Sequence, residues 1–141
     1  MMADYSAVIA ALILDHAADL AVGSPALPVF FHGVAVKPPV KPKYLYVQYF
    51  INPTSAVGIA HDSTLLHEGL LQIDVYWPNG TGIIDPMAAA GSVIDHFPRT
   101  LELWGSPLVV KFDRPAYAST PMQEGNYQKI VVTVPWRAFA T

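Results

Sequence analysis

Cysteine is absent from the 141 residues, so disulfides and thiolate metal sites are excluded. Charge is scarce as well. Charged residues make up 13% of the chain, about half the usual share. The net charge of −3 and the isoelectric point near 5.9 argue against a nucleic-acid-binding surface. So small a charge also leaves little self-repulsion, which permits assembly. Long hydrophobic runs are missing too. Ala7 to Leu14 is an apolar run of eight, far too short to span a bilayer. Asp4 precedes it and the first lysine is Lys37, so it lacks the basic flank of a secretory signal. The chain is therefore expected to be soluble and cytoplasmic when made, without membrane contact. No internal repeat or low-complexity tract is present.

Apolar residues, by contrast, are abundant at 52%. The length fits one domain over residues 1–141. At 15.3 kDa the folded surface scales to roughly 7,100 Å² against about 22,000 Å² unfolded, enough burial for a core without staples. A small interior cannot hold all the apolar content, so part of it is expected to meet another subunit.

The chain is organised around Leu70–Pro78. Leu71, Ile73, Val75 and Trp77 alternate with Gln72, Asp74 and Tyr76, the period of a strand with one face in the core. On that pattern Asp74 faces solvent. Pro78 has no N–H for a ladder and ends the strand. Asn79-Gly80-Thr81-Gly82 makes a turn, with two glycines free to take positive φ. A helix follows from about Ile84 to Phe97, with Ile84, Met87, Ala88, Gly91, Ile94 and Asp95 recurring at three and four. Pro98 terminates it. Asp95 near the helix end opposes the dipole and calls for a partner.

Around this unit, a first helix starts at Asp4 or Ser6 and runs to about Ala21, with Val8, Ile9, Leu12, Ile13, His16 and Leu20 as its apolar stripe. Short strands are expected at Val29–His32 and at Tyr44–Ile51. Gly33–Lys43 is a proline-stiffened loop. Thr54–Thr64 is a long connection, and the central strand begins near Leu65, with Gly69 marking a bulge. Arg99–Ser106 reads as a connection, Leu108–Phe112 as a strand and Arg114–Gly125 as a second long loop. Tyr127–Trp136 is the last strand, with Gln128, Ile130, Val132, Val134 and Trp136 on one side. Tyr44–Ile51 can pair antiparallel with Leu65–Trp77, and Leu108–Phe112 with Tyr127–Trp136. The fold class is α+β: a mostly antiparallel sheet of about four to five strands, with two helices packed on one face.

Chemistry-bearing patterns are few. Gly80-Thr81-Gly82 lies between strand and helix, but Asp85 stands where a dinucleotide fingerprint needs its third glycine. Histidines 16, 32, 61, 67 and 96 form no H-x-H or H-E-x-x-H spacing, so a metal site could come only from distant residues. His61-Asp62-Ser63 holds the triad residue types, but neighbours on a chain point in different directions. No G-x-S-x-G elbow exists. Pro39-Val40-Lys41-Pro42 matches P-x-x-P and reads better as a stiff surface loop. The aromatic group Tyr44, Tyr46, Tyr49 and Phe50 could stack bases, yet the chain lacks a basic groove. Core packing or a subunit contact fits it better.

Three segments carry a resemblance. The first is Glu68-Gly69-Leu70-Leu71-Gln72-Ile73-Asp74-Val75-Tyr76-Trp77-Pro78-Asn79-Gly80-Thr81-Gly82. The second is His96-Phe97-Pro98-Arg99 after an alanine-rich helix. The third is Glu124-Gly125-Asn126-Tyr127-Gln128 with Val131-Val132-Thr133-Val134-Pro135-Trp136-Arg137-Ala138. In this order they resemble the phage tail terminator-like family, over most of the chain. Such a resemblance implies a virion structural protein of the tail, assembled in the host cytoplasm, with no enzymatic activity and no cofactor. It implies a ring of like subunits, commonly six, that caps the tail tube and stops its polymerisation. The implied partners are the chain itself, the tail tube protein and the head–tail connector.

A closed ring needs two different patches per subunit. Candidate contacts are the aromatic strand with Tyr44, Tyr46 and Tyr49, the hairpin ends with His61, His67 and Glu68, and the loop Ala116–Glu124 with Tyr117 and Glu124. The loops would be ordered by a neighbour. Two other classes stay open: another neck or tail-completion protein of similar fold, and a small enzyme or ligand-binding α+β domain.

Overall fold

The computed structural model of the chain describes residues 6–22, 27–34, 43–52, 55–56, 65–105 and 108–140. Helix α1 spans Ser6–Ala18 and tightens into a 3-10 turn at Asp19–Val22. The strands are β1 (Val29–Phe31), β2 (Tyr44–Ile51), β3 (Ser55–Ala56), β4 (Leu65–Pro78), β5 (Glu102–Gly105), β6 (Leu108–Lys111), β7 (Tyr117–Ala118), β8 (Met122–Glu124) and β9 (Tyr127–Ala140), with α2 (Ile84–Asp95) between β4 and β5. They form one sheet in the order β1-β2-β4-β9-β6-β5, with β3 added to β4 and β7 and β8 added to β9.

The α+β class stands, but the sheet differs from the expected four to five mostly antiparallel strands. It is mixed, because β1 runs parallel to β2, and among the described residues it holds nine strands. The extra strands fall in segments read as connections. β5 lies within Arg99–Ser106, and β7 and β8 lie within the second long loop. At two to four residues they are too short to show an alternation. The loop Ala116–Glu124 is thus already tied to β9 by backbone pairing within the chain. Most of the Thr54–Thr64 connection, His61 included, lies outside the described residues.

The sheet is centred on β4 and β9, paired from Leu66↔Phe139 to Pro78↔Tyr127. The β6 partners lie further along than expected, from Leu108↔Ala140 to Lys111↔Arg137. Between the stretches of β9 paired to β6 and to β7, residues 134–136 have no strand on that side among the described residues. The Val131 N–H points to that side, where it donates to Ser119 Oγ at 3.0 Å. Alternate residues point the same way, so Pro135, which has no N–H, falls where no ladder asks for one.

Register places Leu45, Val47, Leu71, Ile73, Val75, Ile130, Val132 and Val134 on one face, all buried. Ile9, Ile13 and Ala17 of α1 and Ala89, Ala90 and Val93 of α2 complete the same cluster. Burial of each large side chain here contributes about 1.5–3 kcal/mol. Both helices therefore cover one face.

Helix α2 is rotated relative to the sequence reading. Its buried residues are Pro86, Ala89, Ala90 and Val93, whereas Ile84, Met87 and Ala88 are exposed. Small side chains let the helix axis approach the sheet, and the bulkier row is turned outward. Asp95 is exposed and makes no ion pair among the described residues.

Gly69 does not mark a bulge. The ladders run through it in unbroken register, Ile51↔Gly69 on one side and Gly69↔Trp136 on the other. A Cβ there would strike the Phe50 carbonyl oxygen and come within 2.7 Å of Trp136 Cζ2. The residue is glycine because the neighbouring strand and the indole occupy that space. Gly80 and Gly82 take the expected positive φ, 88° and 83°. The turn they make is tied down by Gln128 Nε2 donating to the Gly82 carbonyl at 2.8 Å.

Candidate functional site

Among the described residues, no helix lies on the second face of the sheet. Register lines it with the rows Phe50–Leu70–Pro135, Gln48–Gln72–Thr133, Tyr46–Asp74–Val131 and Tyr44–Tyr76–Lys129. These rows divide it into three zones.

The first zone is aromatic and charged. Tyr44 and Tyr76 stack with centroids 4.6 Å apart, and Tyr127 meets both edge-on. Lys129 Nζ lies 3.7 Å from Asp74 Oδ2 and 3.4 Å from Glu124. Asp74 was expected to face solvent. It does lie on this face, but it is only 3% exposed, since Lys129 and the tyrosines stand around it. Its Oδ1 has no hydrogen-bond partner among the described residues. Burial raises the carboxyl above its ordinary range, and Lys129 opposes that rise. Burial likewise pushes the Tyr44 hydroxyl up to about 12.

The second zone is an apolar groove of about 280 Å³ lined by Phe50, Leu70, Gln72, Tyr117 and Thr133. Phe50 is 43% and Tyr117 58% exposed. Strand pairing puts Tyr117 opposite Thr133, which aims its ring into this groove. The third zone is polar, with Glu68, Asp113, Arg114 and Arg137 around Leu66. Arg137 pairs with Asp113, and Arg114 reaches Glu68 at 3.9 Å.

A second apolar surface lies across the sheet, on the outward side of α2. Ile84 is 75% and Met87 50% exposed, beside Ile83. A smaller groove of about 160 Å³ between α2 and β7 is lined by Met87, Gly91, Ile94, Ala118 and Ser119, among others. The sequence reading missed this surface because it took the Ile84–Met87–Gly91 row for the core stripe. The signal that could have corrected it was Asp95 in the same row, a charge the core would not hold.

The remaining candidate residues are dispersed. Tyr46 is half-buried beside Asp74, and Glu124 pairs with Lys129. Tyr49 points the other way, into the helix-covered face, stacked on Trp136 at 5.5 Å. Its hydroxyl is buried without a hydrogen-bond partner among the described residues, and burial pushes it up to about 12. His67 is buried at 6% exposure. Of the set, Glu68 and Tyr117 border the grooves of the open face.

One further cluster joins residues 80 apart in sequence, beyond the reach of any spacing argument. His16, at the end of α1, and His96, after α2, stack at 4.1 Å. Each Nε2 lies within hydrogen-bond distance of the other's backbone carbonyl, at 2.7 and 2.6 Å. Both rings therefore donate from Nε2 and clasp the two helix ends. With Asp19 they offer three potential ligand atoms within 4.8 Å of one another. However, parallel stacked rings send their lone pairs side by side rather than to one point, which suits a clasp better than a metal centre.

Among the described residues, these surfaces present apolar grooves and ion pairs rather than a nucleophile with an aligned base. They can dock a partner. Among the described residues, no helix is long and apolar enough to cross a membrane.

Comparison with known proteins agrees in kind. A family model described as phage tail terminator protein matches residues 6–136. A solved structure superposes with a TM-score of 0.76 at 22% identity, covering 92% of each chain, which shows a shared fold. Among proteins of curated function, none matches.

Proposed function

The chain belongs to the phage tail terminator protein family, and from that membership we propose that it caps the tail tube as a closed ring of six copies. Members are phage structural proteins, which places this chain among tail components. The ring stops addition of tube subunits and presents its outer surface to the head–tail connector. The observation that carries this reading is the family match along nearly the whole chain. Two apolar surfaces on opposite sides of one sheet support it, since a closed ring of like subunits uses two different patches.

Native mass spectrometry over a concentration series, in solution and on isolated tails, tests the proposal. The expected result is one closed species of six copies. Monomers at every concentration, together with no ring on the tails, would refute it.

A further inference from the structure

We propose that the ring, on the reading just given, is built by seating the outward row of α2 in the open-face groove of the next copy. Ile84 and Met87 supply the ridge. Phe50, Leu70 and Tyr117 supply the walls.

Four observations converge on a second copy of this chain as the occupant. First, the two surfaces lie on opposite faces of one sheet. Ala89, Ala90 and Val93 hold α2 to the core face, while Phe50, Leu70, Gln72 and Thr133 line the other. A contact of ridge with groove is therefore head to tail, the kind that closes into rings. Second, the shapes complement each other. A 12-residue helix is a convex rod about 18 Å long, and the groove is concave.

Third, both centres are free of charge. The groove offers Gln72, Thr133 and the Tyr117 hydroxyl as uncharged polar partners, and Ile84, Met87 and Gly91 offer none, Asp95 standing at the far end of their row. Interface cores are depleted in charge and enriched in Met and aromatic anchors, as here. Charge sits at the margins with opposite sign. Asp85 is exposed in the first turn of α2, and Arg114 is exposed in the zone adjoining the groove, bound to Glu68 only at 3.9 Å. Fourth, β7 joins the two surfaces. Tyr117 lines the open-face groove, and the next residue, Ala118, lines the groove beside α2.

The lack of cysteine makes the test direct. Met87→Cys and Tyr117→Cys are prepared separately, mixed, and treated with a short bismaleimide. The mixture is expected to give a covalent dimer that neither variant gives alone. The double variant in one chain is expected to give a ladder ending at the ring. Ile84→Cys with Leu70→Cys serves as a second pair, and thermal melting confirms that each variant folds. Wild-type mass is measured in parallel, in solution and on isolated tails. If the wild type forms a ring and neither pair cross-links, the contact is wrong and the ring reading survives. If groove variants cross-link instead to the tail tube protein, the groove belongs to that partner and the proposal fails. If no ring forms anywhere, both readings fall.

Discussion

Replacing Gly69 with alanine has two opposite expected signs, depending on why glycine is there. A glycine serving only as a spacer, at a φ that alanine also adopts, would be improved by alanine. The substitution would narrow the unfolded ensemble and stabilise the fold by about 0.4–1 kcal/mol. The structure gives the other answer. The added methyl strikes the Phe50 carbonyl oxygen and falls 2.7 Å from Trp136 Cζ2. The first obstacle is backbone, held by the Phe50↔Leu70 and Ile51↔Gly69 pairings, and the second is an indole only 1% exposed. Neither can move aside without disturbing the β2–β4–β9 ladders. Overpacking of this kind costs about 1–3 kcal/mol. At roughly 4 °C per kcal/mol for a domain of this size, the melting temperature should fall by about 4–12 °C. Urea titration of Gly69→Ala against wild type measures the cost, and thermal unfolding the shift in melting temperature. Gly91→Ala is the control, because nothing lies within 4 Å of its added methyl. In mid-helix that change should stabilise by about 0.5–1 kcal/mol. A Gly69→Ala protein as stable as wild type, or more so, would refute the close-approach argument.

Further outcomes follow from the same packing. Ile73, fully buried between Val47 and Val132, should lose about 2–5 kcal/mol on change to alanine, read from the urea midpoint. Ile73→Asp should be insoluble, and a soluble variant with an unchanged melting temperature would mean that the strand faces the other way. Burial holds the His16 imidazole below its ordinary value of 6.5, so the unfolded chain takes up a proton that the folded chain resists. The stability contributed by burying a neutral His16 ring is therefore complete above pH 6.5 and lost as pH falls below it, while the hydrogen bond to the His96 carbonyl opposes the shift. Urea midpoints at pH 8 and pH 5 should differ more for wild type than for His16→Asn, and an equal difference would contradict this. Dialysed protein should keep less than about one equivalent of zinc, because both stacked rings already serve the backbone carbonyls; a stoichiometric ion surviving chelator would overturn that reading.

Much of the architecture was legible from period alone. β4 and β9 are long, and their alternation names the buried row from Leu71 to Trp77 and from Gln128 to Trp136 residue by residue. The helix after the glycine turn was legible as a helix but not in its rotation. Both of its sides are apolar, and period cannot choose between Ala89–Ala90–Val93 and Ile84–Met87–Gly91. Short strands such as Tyr117–Ala118 carry no pattern of their own and exist because β9 offers them an edge. The burial of Asp74 and the His16–His96 clasp depend on residues brought together only by the fold. The same holds for the open-face groove, whose walls come from β2, β4, β7 and β9.

We propose that this chain ends the tail tube, and tail length is the most direct readout of that role. Electron micrographs of tails assembled without the protein should show tubes of irregular and excessive length that fail to join heads, with normal length restored when wild-type protein is supplied. Tails of uniform length joined normally to heads in its absence would contradict the account.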